Sequence, residues 1–366
     1  MPVIPLLDLA EQNREVADDI RTGFDAVLAD CAFIGGKAVD SFEEDYARYV
    51  GAAHCVGVAN GTDAIEIALR AAGIGAGDEV IVPANTFVAT AEAVVRAGAE
   101  PVFVDCDDDF LLIDPARIAE AVGPRTRAVI PVDLYGQVAP MDQVSAVAAE
   151  YDLVVIEDAA QSQGARQLGQ RAGTFGLAAT TSFYPGKNLG AFGDAGALLT
   201  SSAEIARAAR LIGAHGSVVR YVHECFGVNS RLDALQAVVL SAKLARLDGW
   251  NAARREAAAR YDDVLSQIEG VRLPRTLPGN EHVWHLYVVR VPHRDGVLAR
   301  LNAAGVGAAI HYPVPVHRQP AFASARRGDC PVAELSSQQI LSLPIYPHLT
   351  ASQQDRVAAE LAAALR

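Results

Sequence analysis

The chain has 366 residues, 51% hydrophobic and 20% charged, with a formal net charge of -13. That length can bury a large core and suits two domains, or one with an appendage. The acidic balance speaks against nucleic acid as a partner, because phosphate binding needs a basic surface to displace counterions; one donor-rich pocket for an anionic small ligand remains open.

No apolar run free of breakers nears the roughly 18 residues that cross a bilayer, so no membrane partner is expected. The start MPVIPLLD lacks the basic region and cleavage site of a secretory signal. The five cysteines form no C-x-x-C and read as free thiols in a reducing compartment. The expected location is the cytoplasm.

From Ala53 onward, short apolar runs alternate with helical ones. Strands are predicted at Cys55 to Val58, Glu79 to Val82, Pro101 to Val104, Ala128 to Val132, Leu153 to Ile156, Thr180 to Phe183 and Gly196 to Leu199. Helical stretches separate most of the first five: Thr62 to Ala72, Thr86 to Ala97, Pro115 to Ala121 and Met141 to Glu150. This alternation predicts an α/β fold whose mostly parallel sheet is covered on both faces.

Residues from about Arg231 to Ile268 read as a long helix with a break near Gly249. There follow a Pro/Gly-rich turn (Leu273 to Gly279), a strand (Val283 to Val291), a helix (Gly296 to Ala304), a strand near Ala308 to His311 and a terminal helix from Ser352. We expect a large α/β domain over 1–247 and a smaller α+β domain over 248–366, with the N-terminal segment packing on the latter. A cleft between them is the default place for a ligand.

Three features carry chemistry. The run Val154-Val155-Ile156-Glu157-Asp158 is a buried strand with acids at its C-terminal end, where open α/β sheets place ligands. Such acids also cap helices or bind Mg2+, so Asp158 needs a partner to be read as catalytic. Lys187, in SFYPGKNLGAFGDAGA, follows a later strand. Either it snorkels to solvent from a Gly-rich turn, or, desolvated, it forms a Schiff base with a carbonyl; Gly186, Gly190 and Gly193 leave room for a flat ligand. The turn Asn60-Gly61-Thr62 joins a strand to a helix and suits a phosphate, although Asn60 or Thr62 as a plain helix cap explains it as well.

Other constellations argue less. Gly73 to Asp78 precedes a strand and so lacks the context of a dinucleotide loop. His282 and His285, three apart in a predicted strand, point to opposite faces, and no shared metal is expected. Asp105, Asp107, Asp108 and Asp109 read as a solvated loop. Ser162 and Ser182 lack a G-x-S-x-G elbow.

Taken together, GVANGTDAIEIAL, GDEVIVPANTFVAT, PVDLYGQ, VIEDAAQSQGA, SFYPGKNLGAFGDAGA, GVNSRLDALQAVVL and IHYPVPVHRQPAF, in this order, resemble the DegT/DnrJ/EryC1/StrS sugar aminotransferases over nearly the whole chain. The resemblance implies the aspartate aminotransferase-like fold, type I of the pyridoxal 5'-phosphate enzymes. It implies that Lys187 carries the cofactor and moves protons, that Asp158 pairs with the pyridine nitrogen, and that Gln161 sits near the ring hydroxyl. It further implies that Phe87 stacks on the ring, that Gly61, Thr62 and Ser182 meet the phosphate, and that Asn229 reaches the cofactor of the other subunit of a homodimer. Tyr184, Tyr221, His311 and Tyr312 would face a nucleotide sugar. The form around Lys187, with HYPVPVH, is similar to enzymes that aminate C-3 of a dTDP-linked keto-deoxyhexose from an amino-acid donor, expected to be L-glutamate. Amination at C-4 or of a cyclitol, and a non-catalytic sugar-nucleotide sensor, are the competing readings.

Overall fold

The computed structural model describes residues 2–219 and 221–366. Eight strands form the main sheet: β1 (His54–Val58), β2 (Glu79–Pro83), β3 (Glu100–Val104), β4 (Thr126–Val129), β5 (Val154–Asp158), β6 (Ala178–Ser182), β7 (Gly196–Thr200) and, beyond a first excursion of the chain, β9 (Arg326–Arg327). Their spatial order is β1-β7-β6-β5-β4-β2-β3-β9. All neighbours are parallel except β7, which runs antiparallel between β1 and β6. Every residue of β2 is buried, as a strand covered on both faces requires.

The covering helices follow the strands. Helix α4 (Gly61–Ala71) comes after β1, α5 (Val88–Arg96) after β2, α6 (Pro115–Ala121) after β3 and α7 (Met141–Glu150) after β4. Three helices precede the sheet and have no counterpart in the expectations: α1 (Ala10–Glu15), α2 (Ala17–Asp30) and α3 (Lys37–Val50). A further one, α8 (Ala203–Gly213), follows β7. The long helix is two: α9 (Ala234–Leu244) and α10 (Leu247–Leu265). The break thus falls at residues 245–246, and Gly249 lies inside α10, whose first turns are anchored by buried Trp250, its Nε1 donating to Glu15 Oε2 at 2.9 Å.

After α10 the chain builds a second apolar cluster, in which Tyr261, Tyr287, Leu301, Leu341 and Val357 pack with Ile4 from the start of the chain. Its strands β8 (Tyr287–Arg290) and β10 (Ile340–Leu343) pair antiparallel, with α11 (Arg294–Ala303) and α13 (Ala351–Ala364) beside them and α12 (Pro331–Ser337) just ahead of β10. The strand expected from Val283 is shorter, because Trp284 takes a left-handed φ of 48° and bends the chain. His282 and His285 therefore lie in an irregular segment, and the run near Ala308 to His311 forms one isolated bridge, Ala309 to Ser342.

Asp107, Asp108 and Asp109 are exposed, as a solvated loop requires, but Asp105 is not. Asp105 is buried and accepts from the Val332 and Ala333 amides at the start of α12, while Asp108 pairs with Arg272 and Arg290 and Asp109 with Arg272 and Arg275. Arginines distant in the sequence pair with Asp108 and Asp109. Among the described residues no helix is long and apolar enough to cross a membrane.

Candidate active site

The parallel strands β5 and β6 end side by side, and Asp158 closes β5. Asp158 is 4% exposed; Thr90 Oγ1 donates to its Oδ2 at 2.8 Å and the Ala160 amide to its Oδ1 at 3.2 Å. Burial raises the Asp158 pKa, opposed by those two hydrogen bonds and by the positive charge of Lys187. Thr90 is one turn along from Thr86, to which its hydroxyl is also bonded at 2.8 Å. Sequence reasoning missed Thr90; the signal was a pair of hydroxyls at helical i, i+4 spacing in an apolar stretch.

Lys187 follows β6 in the loop that returns to β7. The loop is closed at its base by the pairing of Ser182 with Gly196, and Gly196 also pairs with Val58 at the end of β1. Burial lowers the Lys187 amine to about 8, against the pull of Asp158 in the other direction. Of the three loop glycines expected to admit a ligand, only Gly186 lines the cavity. A Cβ on Gly190 would come within 2.3 Å of the Pro185 carbonyl oxygen, so that glycine closes the loop on itself.

At the end of β1, Asn60 caps α4, its side chain accepting from the Asp63 amide at 2.8 Å. This is the plain role that the sequence left open. It frees Gly61 and Thr62 for the cavity, and a Cβ on Gly61 would stand 2.7 Å from the Cβ of Ser182. The first turn of α4 and the end of β6 are thus in direct contact.

These groups line one cavity of about 370 Å³, which holds Gly61, Thr62, Phe87, Asp158, Gln161 and Ser182 of the expected cofactor set together with Lys187. Tyr184, His311 and Tyr312 of the expected sugar set line it too. Gln161 is fixed from both sides: its Oε1 accepts from the Tyr135 amide at 2.6 Å and its Nε2 donates to the Tyr312 hydroxyl at 3.2 Å. The Phe87 and Tyr312 rings are 5.1 Å apart, and Phe87 is 48% exposed for so large an apolar ring. Leu6 and Leu7, from the start of the chain, also reach the cavity.

Two expected residues lie elsewhere. Asn229 borders a surface cleft with Arg231 and Gln236; Asp194 is common to this cleft and the cavity. Tyr221 is exposed, at the tip of a hairpin formed by Ser217–Val219 and Val222–His223, and is not among the cavity residues.

The sequence profile described as the DegT/DnrJ/EryC1/StrS aminotransferase family matches residues 15–362. The chain belongs to this family. DegT/DnrJ/EryC1/StrS aminotransferases use pyridoxal phosphate, and so the chain is an aminotransferase of that kind, with the type I fold. It is 46% identical over 98% of both chains to the "Pleiotropic regulatory protein" of Geobacillus stearothermophilus. It is 44% identical to the dTDP-3-amino-3,4,6-trideoxy-alpha-D-glucose transaminase of Streptomyces venezuelae, over 97% of this chain and 94% of that one. The crystal structure of S. venezuelae DesV in complex with a ketimine intermediate superposes with a TM-score of 0.97 at 44% identity, covering 100% of each chain.

The residues present fit the cofactor. A buried carboxylate that feels the charge of Lys187 suits a protonated ring nitrogen, a half-exposed aromatic suits a flat ring, and the start of α4 offers amides and a hydroxyl to a phosphate.

Proposed function

We propose that the chain transfers an amino group, from L-glutamate, to C-3 of a dTDP-linked 3-keto-6-deoxyhexose. The setting would be amino-sugar biosynthesis in the cytoplasm for an antibiotic or a surface glycan. The observation that carries this is the meeting of Lys187, Asp158 and the Gly61-Thr62 turn in one cavity. The name of the Streptomyces relative supplies the sugar class.

Bound pyridoxal phosphate supplies the electron sink that lets the Cα–H bond of the amino donor break. Lys187, with its amine lowered to about 8, is partly neutral near physiological pH; it takes that proton and returns it on the other side of the transfer. Asp158 would hold the ring nitrogen protonated, and the hydrogen bond from Thr90 favours the ionised carboxylate against its burial. Gly61, Thr62 and Ser182 would hold the phosphate, Phe87 would stack on the ring, and Gln161 would stand near the ring hydroxyl. Tyr184, His311 and Tyr312 stand where the sugar enters.

Asn229 acts at the cofactor of a second copy, which makes the homodimer the working unit, and its position away from its own cavity supports this; Tyr221 faces the nucleotide sugar. The smaller domain is taken to begin at residue 248, and the separate apolar cluster from Ala258 onward supports this.

The test is a purified protein given 3-keto and 4-keto sugar nucleotides with glutamate. We expect glutamate to shift the absorption of the lysine-bound cofactor and only the 3-keto sugar to gain nitrogen. Amination at C-4 alone overturns the assignment of the carbon. The name of the Geobacillus relative raises regulation as a second reading, and turnover at ordinary enzymatic rates removes it as the sole role.

A further inference from the structure

Behind Lys187 runs a chain of buried amides that the reaction as described does not use. Asn188 is 2% exposed, and its Nδ2 donates to the Val283 carbonyl and to Asn251 Oδ1, both at 2.9 Å. Asn251, 1% exposed, donates in turn from Nδ2 to the Gln163 carbonyl at 2.9 Å. Backbone carbonyls accept only, so the orientation of both side-chain amides is determined. Asn188 Oδ1 therefore faces the other way, and 3.3 Å from it lies Nδ1 of His285.

An amide oxygen cannot donate. Nδ1 of His285 must then carry the ring proton, which leaves Nε2 with its lone pair. His285 lines the cavity, and Nε2 has no protein partner among the described residues. Burial, together with the charges of Lys187 and Arg254, holds the ring pKa well below 6.5. The ring is thus a neutral acceptor of fixed tautomer on the wall where substrates bind.

Of the groups that enter this cavity, the carboxylates of an amino donor and the phosphates of a nucleotide are themselves acceptors, and the donor's nitrogen is the group transferred. A sugar hydroxyl has a proton to give. We propose that His285 is a specificity-determining residue whose Nε2 accepts a hydrogen bond from a hydroxyl of the bound keto-sugar, with Asn188 and Asn251 as positioning residues that fix its tautomer. This rests on the keto-sugar reading given above.

The test uses the full-length, cofactor-loaded protein with ¹⁵N-labelled histidine, the His285 ring being assigned by its loss in His285→Gln. We expect a protonated Nδ1 and a bare Nε2, and an Nε2 resonance that moves on adding the aminated sugar nucleotide but not on adding glutamate. A proton on Nε2, or an Nε2 that ignores the sugar nucleotide, overturns the proposal. In kinetics, His285→Phe keeps a ring but no acceptor, and we expect the KM for the keto-sugar to rise about tenfold while kcat falls less than about threefold. His285→Gln, whose amide oxygen reaches the place of Nε2, should recover most of that loss; equal KM values for the two variants overturn the inference. Should the wild-type protein aminate no keto-sugar, the reading of function has failed first, an outcome visible before any variant is made.

Discussion

At the strand-end side of the cavity the polar groups are already engaged: Asp158 by Thr90 and the Ala160 amide, Gln161 by the Tyr135 amide and the Tyr312 hydroxyl. At the mouth, Tyr184 is 60% exposed, and Asn229 and Tyr221 lie outside the cavity of their own chain. The first region is finished by the fold and ready for a rigid cofactor. The second is left for groups that arrive later, a substrate or another subunit. One consequence is that damage to the first side should appear in kcat and damage to the second in KM.

That division can be broken by experiment. Lys187→Ala should lower turnover by at least about 10³-fold, because both proton transfers lose their carrier, and should abolish the absorption of the lysine-bound cofactor. Asp158→Asn still accepts from Thr90 but cannot hold the ring nitrogen protonated; kcat should fall about 100-fold with the melting temperature nearly unchanged, as read by steady-state rates and thermal denaturation.

Thr90→Val tests the strand-end side more finely. The lost bond is to a charged group, of the kind that contributes about 1.5–3 kcal/mol, and kcat should fall about tenfold. It also shifts the pH profile in a definite direction. Thr90 lowers the Asp158 pKa, so its removal raises that pKa further; activity that needs the carboxylate and is lost as pH falls should then be lost at a higher pH than in the wild type. An acidic limb that stays in place would mean that Thr90 only packs. At the mouth, Tyr184→Phe should change the KM for the keto-sugar by about threefold and leave kcat alone. A large loss of kcat there would erase the distinction between the two sides.

The same contrast governs what could be read from the sequence. Asp158 ends a strand, and Lys187 and the Gly61-Thr62 turn each come within a few residues of the end of one, so a local pattern locates them and the order of motifs relates them. What lay hidden depends on partners far along the chain. Nothing near Asp105 says that it will cap a helix beginning at Pro331, and nothing near His285 says that Asn188 will set its tautomer. Of the lysine-loop glycines, Gly186 lines the cavity as expected and Gly190 was misread: it is required by the chain's own carbonyl at Pro185, a clash that appears only once the loop has closed. The break between α9 and α10 was misplaced because a glycine is a weak helix breaker when a buried tryptophan beside it holds the turn.

Gly196 stands in register with Val58 on one side and with Ser182 on the other. The strand carrying the phosphate turn and the strand carrying the lysine loop are therefore held two interstrand steps apart, roughly 10 Å at the base of both. That interval belongs to the peptide hydrogen bond and not to any side chain. On the proposed roles, the sheet acts as a ruler between the strand leading to the turn that would hold the phosphate and the strand leading to the lysine loop, and its graduations cannot be altered by surface substitution.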